Sequence, residues 1–201
     1  MRTRSGFSMI ELVFVIVILG VLAAVAVPRF VATRTDAQVA TARSDLASAQ
    51  KAIVAKVFAD NIDPTQSKAP DPNKPVAGQT PSKDWGEWII EVAGLDGARW
   101  NKGGNPISTK TAGLSVNQSD GVAPVGNVQT QSGGKKGDCG MVLGINTAEG
   151  MMVFAPNNIG GDNVKISKAT NFCWSLKQSF ASSGGPGNKL IPLASTGTVE
   201  F

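Results

Sequence analysis

The chain has 201 residues and a mass of 20.8 kDa, enough for one domain and an appendage. It contains no histidine, which excludes Ser-His-Asp and Cys-His catalysis and every histidine-ligated zinc or haem site. Its net charge of +4, from 19 basic and 15 acidic residues, is too mild and too dispersed to point to nucleic acid.

The N-terminus reads MRTRSGFSMIELVFVIVILGVLAAVAVPRF. A short basic stretch, Arg2 and Arg4, precedes an apolar run from Phe7 to Val27 whose single charge is Glu11. As a helix this run spans roughly 31 Å at about 1.5 Å per residue, the thickness of a hydrocarbon core of about 30 Å. Three readings compete. One is a secretory signal peptide cut after Ala24-Val25-Ala26. Another is a plain membrane anchor. The third is a short leader cut between Gly6 and Phe7, with the apolar segment retained. Glu11 favours the third, because a carboxylate near mid-bilayer costs about 2.5–3.5 kcal/mol, less near the edge, and the other two readings give it no use.

The segment Gly6-Phe7-Ser8-Met9-Ile10-Glu11-Leu12 resembles the leader and mature start of type IV pilins and type II secretion pseudopilins. The resemblance covers about the first 30 residues closely and the following helix loosely. It implies cleavage by a prepilin peptidase between Gly6 and Phe7 and N-methylation of Phe7 by the same enzyme family. It assigns Glu11 to assembly, and it makes Gly20 and Pro28 the bracket of a helix stretch that melts in filaments. Physics supports the Glu11 role. Its carboxylate can neutralise the free amine of Phe7 on a neighbouring subunit, and the pairing offsets part of the cost of each buried charge. Gly20 also reads simply as a small residue for close helix contact, and Pro28 as a kink.

Helical patterning continues to about Asp60. Val39, Ala42, Leu46, Ala49, Ile53 and Val57 recur at intervals of three and four and form an apolar stripe. Arg34, Arg43, Asp45, Lys51 and Lys56 lie on the opposite face. The expected helix therefore runs from Phe7 to about Asp60, roughly 80 Å, with its first half in membrane or filament core and its second half packed on a head. Asp60-Asn61-Ile62-Asp63-Pro64 ends it by turn chemistry.

Residues 63–83 contain five prolines and no aromatic residue and read as an irregular surface loop. Ser82 to Leu95 reads as a short helix or helix plus strand. Trp85, Trp88, Ile89 and Val92 favour the helix, while Gly86 weighs against it. The two tryptophans read as core; the sharper alternative is a sugar-binding shelf. Residues 101–140 read as long loops with one short strand. Cys139–Ile145 and Met151–Ala155 flank a turn-rich Asn146–Gly150 and form an expected hairpin. Phe172–Leu176 reads as a third strand, and Leu190–Ala194 and Thr198–Phe201 as edges. The expected fold is α+β: a long N-terminal helix packed on an antiparallel β-sheet head. Its parts are a leader over 1–6, an apolar helix over 7–28, an amphipathic continuation over 29–60 and a head over 61–201.

A periplasmic or surface protein with two cysteines points to one disulfide, Cys139–Cys173, clamping the first and third strands; the alternative is two free buried thiols. The loop Asn157–Asn163 offers oxygen ligands for calcium but has one carboxylate, and a plain polar loop is the simpler reading. Lys135, Lys136, Lys165, Lys168 and Lys177 read as solvated charge rather than a patch for DNA.

The resemblance implies a structural role without catalysis or cofactor. The implied partners are the prepilin peptidase and methyltransferase, further copies of the chain in a helical filament, an inner-membrane assembly platform with its ATPase, and membrane lipid before assembly. The implied location is the bacterial inner membrane with a periplasmic head, then a pilus or pseudopilus. Alternatives are a type II secretion or competence pseudopilin and a minor pilin whose head binds a host surface or DNA. A membrane-tethered enzyme is a third class, for which no spaced carboxylate or nucleophile motif speaks.

Overall fold

A computed structural model describes residues 8–74, 80–128, 137–160, 166, 172–181 and 187–193, without the side chains of 25–33, 110–111 and 127–128. The chain divides into two units, Met1–Gln38 and Val39–Phe201. The first contributes the opening turns of helix α1 (Met9–Ala59). The second is an α+β head.

In the head, the stripe read from the sequence is the buried face of α1. Val39, Ala42, Leu46, Ala49, Ile53 and Val57 are all in the core, and Ala49 and Ile53 are fully buried. The helix stops at Asn61, which adopts a left-handed φ of 48°. The amides of Asn61 and Ile62 donate to the carbonyls of Phe58 and Val57 at 3.4 and 2.9 Å. This pairing satisfies two end carbonyls, and Ile62 joins Val57 in the core. The charged face is not uniformly solvated. Asp45 accepts the indole N–H of buried Trp100 at 2.9 Å and pairs with Arg99 at 3.4 Å. Arg43 donates to the Ser179 carbonyl at 3.0 Å and stacks over the Phe180 ring.

Helix α2 (Trp85–Ala93) confirms the helical reading of that segment. It ends like α1: Gly94, at φ 62°, and Leu95 donate to Glu91 and Ile90 carbonyls. Trp85 and Trp88 are fully buried, with their rings edge to face at 5.3 Å. Gly86, the residue that weakened the helix pattern, sits where α2 meets the sheet. A Cβ there would lie 2.3 Å from the Gly121 carbonyl oxygen, so tertiary contact outweighs helix propensity.

The sheet has six strands: β1 (Trp100–Lys102), β2 (Gly121–Val128), β3 (Gly137–Asp138), β4 (Leu143–Asn146), β5 (Met151–Phe154) and β6 (Lys189–Pro192). They run in the order β1-β2-β4-β5-β6, all pairs antiparallel, with β3 pairing the outer part of β2. Leu143 opposite Phe154 and Ile145 opposite Met152 face the helices. Val153 faces a second cluster with Ile107, Val116, Met141 and Ala155. Both faces of the sheet are therefore covered, which is why β4 is buried at every position.

Three sequence expectations are corrected. The span 101–140, read as loops with one short strand, holds β2, the longest strand. Its Gly and Pro residues masked it, yet Pro124 falls where the β2 partner changes from β4 to β3, so its missing N–H costs no ladder bond. The segment 172–176, read as a strand, opens helix α4 (Phe172–Ala181). Phe172, Cys173, Leu176 and Phe180 have helical spacing and pack on the core. The expected hairpin is present, but its first strand begins at Leu143, not Cys139, and its Asn146 side chain accepts the Glu149 amide at 2.7 Å. The edge over Leu190–Ala194 is observed as β6; Thr198–Phe201 lies outside the described residues. A four-residue helix, α3 (Thr109–Ala112), lies within the segment that covers the second cluster.

Cys139 and Cys173 are bonded, with Cα atoms 5.3 Å apart and both side chains fully buried. The bond does not clamp two strands. It ties the residue after β3 to the first turn of α4. In the loop-entropy picture a bridge of this length contributes about 3–4 kcal/mol. Cys139→Ser/Cys173→Ser should lower stability by about that amount, read as an earlier urea midpoint that matches the reduced wild type. Gly86→Ala should cost about 1–3 kcal/mol through overpacking; an unchanged thermal midpoint would contradict the close α2–β2 approach.

Candidate functional site: the N-terminal helix

The opening of α1 buries none of its apolar side chains. Every large apolar residue from Met9 to Leu22 is exposed, from 43% at Ile18 to 87% at Met9. These residues occupy consecutive positions, so the segment is apolar all round rather than along one stripe. Such a helix belongs in lipid or among other helices, and soluble monomers rarely expose apolar surface on this scale. Among the described residues no helix is long and apolar enough to cross a membrane; the part of this run with described side chains ends at Ala24.

The only charge on this part of the helix has a local partner. The Ser8 amide donates to Glu11 Oε2 at 2.9 Å, and Leu12 donates to the Ser8 carbonyl at 3.2 Å. Ser8-Met9-Ile10-Glu11 is thus one arm of a capping box, with the acid three residues into the helix reaching back to the cap amide. The positive end of the helix dipole favours the carboxylate there. From the sequence Glu11 has only an intermolecular use. The Ser-x-x-Glu spacing before an apolar run was the signal for this local one.

The remaining predicted residues fall as follows. Gly6 and Phe7 lie outside the described residues, as do the side chain of Pro28, Asp162 and Asn163, and Lys135, Lys136, Lys165 and Lys168. The backbone of α1 is helical through Gly20 and Pro28 in the single chain. Gly20 is exposed, and a Cβ there would meet nothing within 4 Å. In the loop considered for calcium, Asn158 is buried and its amide donates to the Met141 and Asn105 carbonyls at 2.9 and 3.1 Å. Among the described residues no three His, Cys, Asp or Glu side chains gather as a metal set. Burial of Trp85, Trp88 and Trp100 removes the sugar-binding shelf. An open polar groove of about 480 Å³, lined by Asp84, Lys102, Gly103, Asn117, Gln118 and Ser119, lies beside α2.

The family model described as "Prokaryotic N-terminal methylation motif" matches residues 1–27, which gives the chain the signature of a prepilin-type precursor. The type II secretion system core protein G of Aeromonas hydrophila is 35% identical over 82 residues, covering 40% of this chain and 57% of that protein. The chain thus spans a little over half the length of that relative. No solved structure matches. With the helix-on-sheet fold, these findings support the resemblance of the chain to type IV pilins and type II secretion pseudopilins.

Glu11→Gln should keep the cap, because a glutamine at this position also accepts the Ser8 amide. Glu11→Val should lose it, at about 0.3–1 kcal/mol. Amide exchange at Ser8 in detergent-solubilised chain is the measurement; equal protection in all three proteins would contradict the cap.

Proposed function

We propose that this chain is a structural subunit of a pilus-like filament. The observation that carries the reading is the methylation motif over residues 1–27 on a helix whose apolar side chains are exposed on every side. In this reading a prepilin peptidase cuts between Gly6 and Phe7, and Phe7 is then N-methylated. The segment 7–28 holds the precursor in the inner membrane with the head in the periplasm. The segment 29–60 continues into the head, which occupies 61–201. An assembly platform and its ATPase move the mature chain from lipid into a filament of further copies. The role is non-catalytic and needs no cofactor.

On assembly, Glu11 changes its function. Its carboxylate leaves the cap, or shares it, to neutralise the mature Phe7 amine of a neighbouring copy, and this fixes axial register. Gly20 and Pro28 lower helix propensity by about 1 and 3 kcal/mol relative to alanine, which supports a local unwinding of the stretch between them in the filament.

We read the filament as a type IV pilus, because pilins of the resembled family often carry a disulfide near the C-terminus, as Cys139–Cys173 is here, whereas many secretion pseudopilins lack one. The second reading, a type II secretion pseudopilus, is favoured by the name of the Aeromonas relative.

The test is the intact mass and N-terminal sequence of the protein from sheared surface filaments and from membranes. A chain beginning at N-methyl-Phe7 and abundant in sheared material is the expected result. The same mature chain confined to the envelope would select the pseudopilus. A chain beginning at Val27 would overturn the filament reading.

The charge role is tested by filament yield. Glu11→Gln, which keeps the cap, should assemble as poorly as Glu11→Val. Normal yield from Glu11→Gln would reduce Glu11 to a helix cap.

A further inference from the structure

Between α1 and α2 the described arms, 63–74 and 80–84, are irregular yet heavily bonded. Asp63 folds the first turn, accepting the Thr65 amide at 2.9 Å and the Gln66 side chain at 2.9 Å. Pro64, Ala69 and Pro70 are buried. The Ala69 amide donates to the Lys83 carbonyl at 2.8 Å, and its own carbonyl accepts the Ser82 and Lys83 amides at 3.0 and 3.1 Å. The Gln66 carbonyl accepts the indole N–H of fully buried Trp85 at 2.9 Å.

Charge fastens these arms to α2. Lys83 Nζ meets Glu91 Oε1 at 2.5 Å and Asp71 Oδ1 at 3.5 Å, and its side chain is only 20% exposed. Glu91 is held on its other oxygen by the side-chain amide of Asn73 at 3.1 Å. Lys68 pairs with Asp84, the residue just before α2. Lys83 therefore stands at the centre, touching one carboxylate on the first arm and one on α2. Its hydrogen bond to Glu91 holds its pKa above the ordinary lysine value, while the backbone N–H of Asn73, then Lys83 and Lys74, hold Asp71 below the ordinary carboxylate value.

We propose that the two arms form an electrostatic strap across α2, pinned by Lys83, that opens as a unit while the disulfide-tied sheet stays folded. Isolated surface pairs add little, but here several charges share one partner set, which is the case in which ion pairs matter. The arms bring few large apolar side chains to the core: Ile62 and Ala69 belong to the main cluster, and none of the bulky core residues comes from 63–74. The charges thus carry an unusual share of the attachment, the mark of a low-stability, separately opening unit. The inference is independent of the filament reading.

Opening can be read at the Lys68–Ala69 bond. Trypsin requires an extended segment, and Ala69 is fully buried and bonded at both its N–H and its carbonyl. Full-length chain in neutral detergent micelles is digested briefly and the products are weighed. Lys83→Met should speed cleavage after Lys68 by about tenfold, the scale of a few shared pairs, with the thermal midpoint close to wild type. Glu91→Gln should do the same, and the double variant should be little faster than either single one. Wild-type rates in Lys83→Met would overturn the strap, as would cleavage that rises only in step with global unfolding. Should Lys83→Met fail to fold, wild type is compared at 0.05 and 0.5 M sodium chloride, with a free peptide correcting for the protease. Faster cleavage in salt supports the pinning, and salt-independent cleavage overturns it.

Discussion

The 3.6-residue repeat of α1 is the constraint on which the head depends. From Val39 to Val57 one apolar residue arrives every three or four positions, and each is buried. The small residues in that row, Ala42 and Ala49, let neighbouring elements approach closely. The large ones, Leu46 and Ile53, fill the space between, so the row presents the alternating relief that dense packing requires. The inner face of the sheet answers it with Leu143, Ile145, Met152 and Phe154, while α2 and α4 supply Trp88 and Leu176 to the same cluster. Nothing in the sheet sequence would order these elements alone. Its strands are short and interrupted by glycine, and three of its members have four residues.

The polar side of the same helix also serves the head. Asp45 and Arg43 lie off the stripe, yet each holds an element that arrives from far along the chain. Asp45 takes the Trp100 indole N–H, so that a fully buried aromatic ring keeps its one polar atom satisfied. Arg43 closes the end of α4 by accepting no bond itself and donating to a terminal carbonyl, with its planar group over Phe180. At their ends α1 and α2 use the same left-handed turn, made by asparagine in one and glycine in the other. The turn, not the residue, is what the fold requires.

How much of this was legible in the sequence follows from the range of the forces involved. Local period and capping are written in neighbouring residues. The α1 stripe, α2 and the hairpin around Asn146 and Gly150 could therefore be read directly. Strand β2 could not, because Gly121, Pro124 and Gly126 carry loop chemistry. Their place in the sheet comes from partners about twenty residues away on either side. Helix α4 was misread because Cys173-Trp174-Ser175 gives a brief apolar-to-polar alternation, which the longer spacing to Leu176 and Phe180 overrules. The disulfide pairing was forced by there being two cysteines, but its placement depended on α4 and failed with it. At the N-terminus the residue types were legible and the local use of Glu11 was not, because the cost of a carboxylate in an apolar run outweighs the smaller gain of a cap.

Magnitudes separate the two uses of Glu11. A carboxylate in the first turn gains about 0.3–1 kcal/mol from the helix end. The same group carried towards the middle of an apolar phase loses about 2.5–3.5 kcal/mol. The cap observed in the single chain therefore suffices while Glu11 sits at the wet edge of a bilayer, where water shares the burden. It falls short wherever apolar helices replace that water. Within the proposed filament the difference has to come from a cation, and the mature Phe7 amine is the nearest one the chain can offer. A glutamine would satisfy the cap equally well, so within the proposed filament the acid at this position answers to the second environment rather than the first.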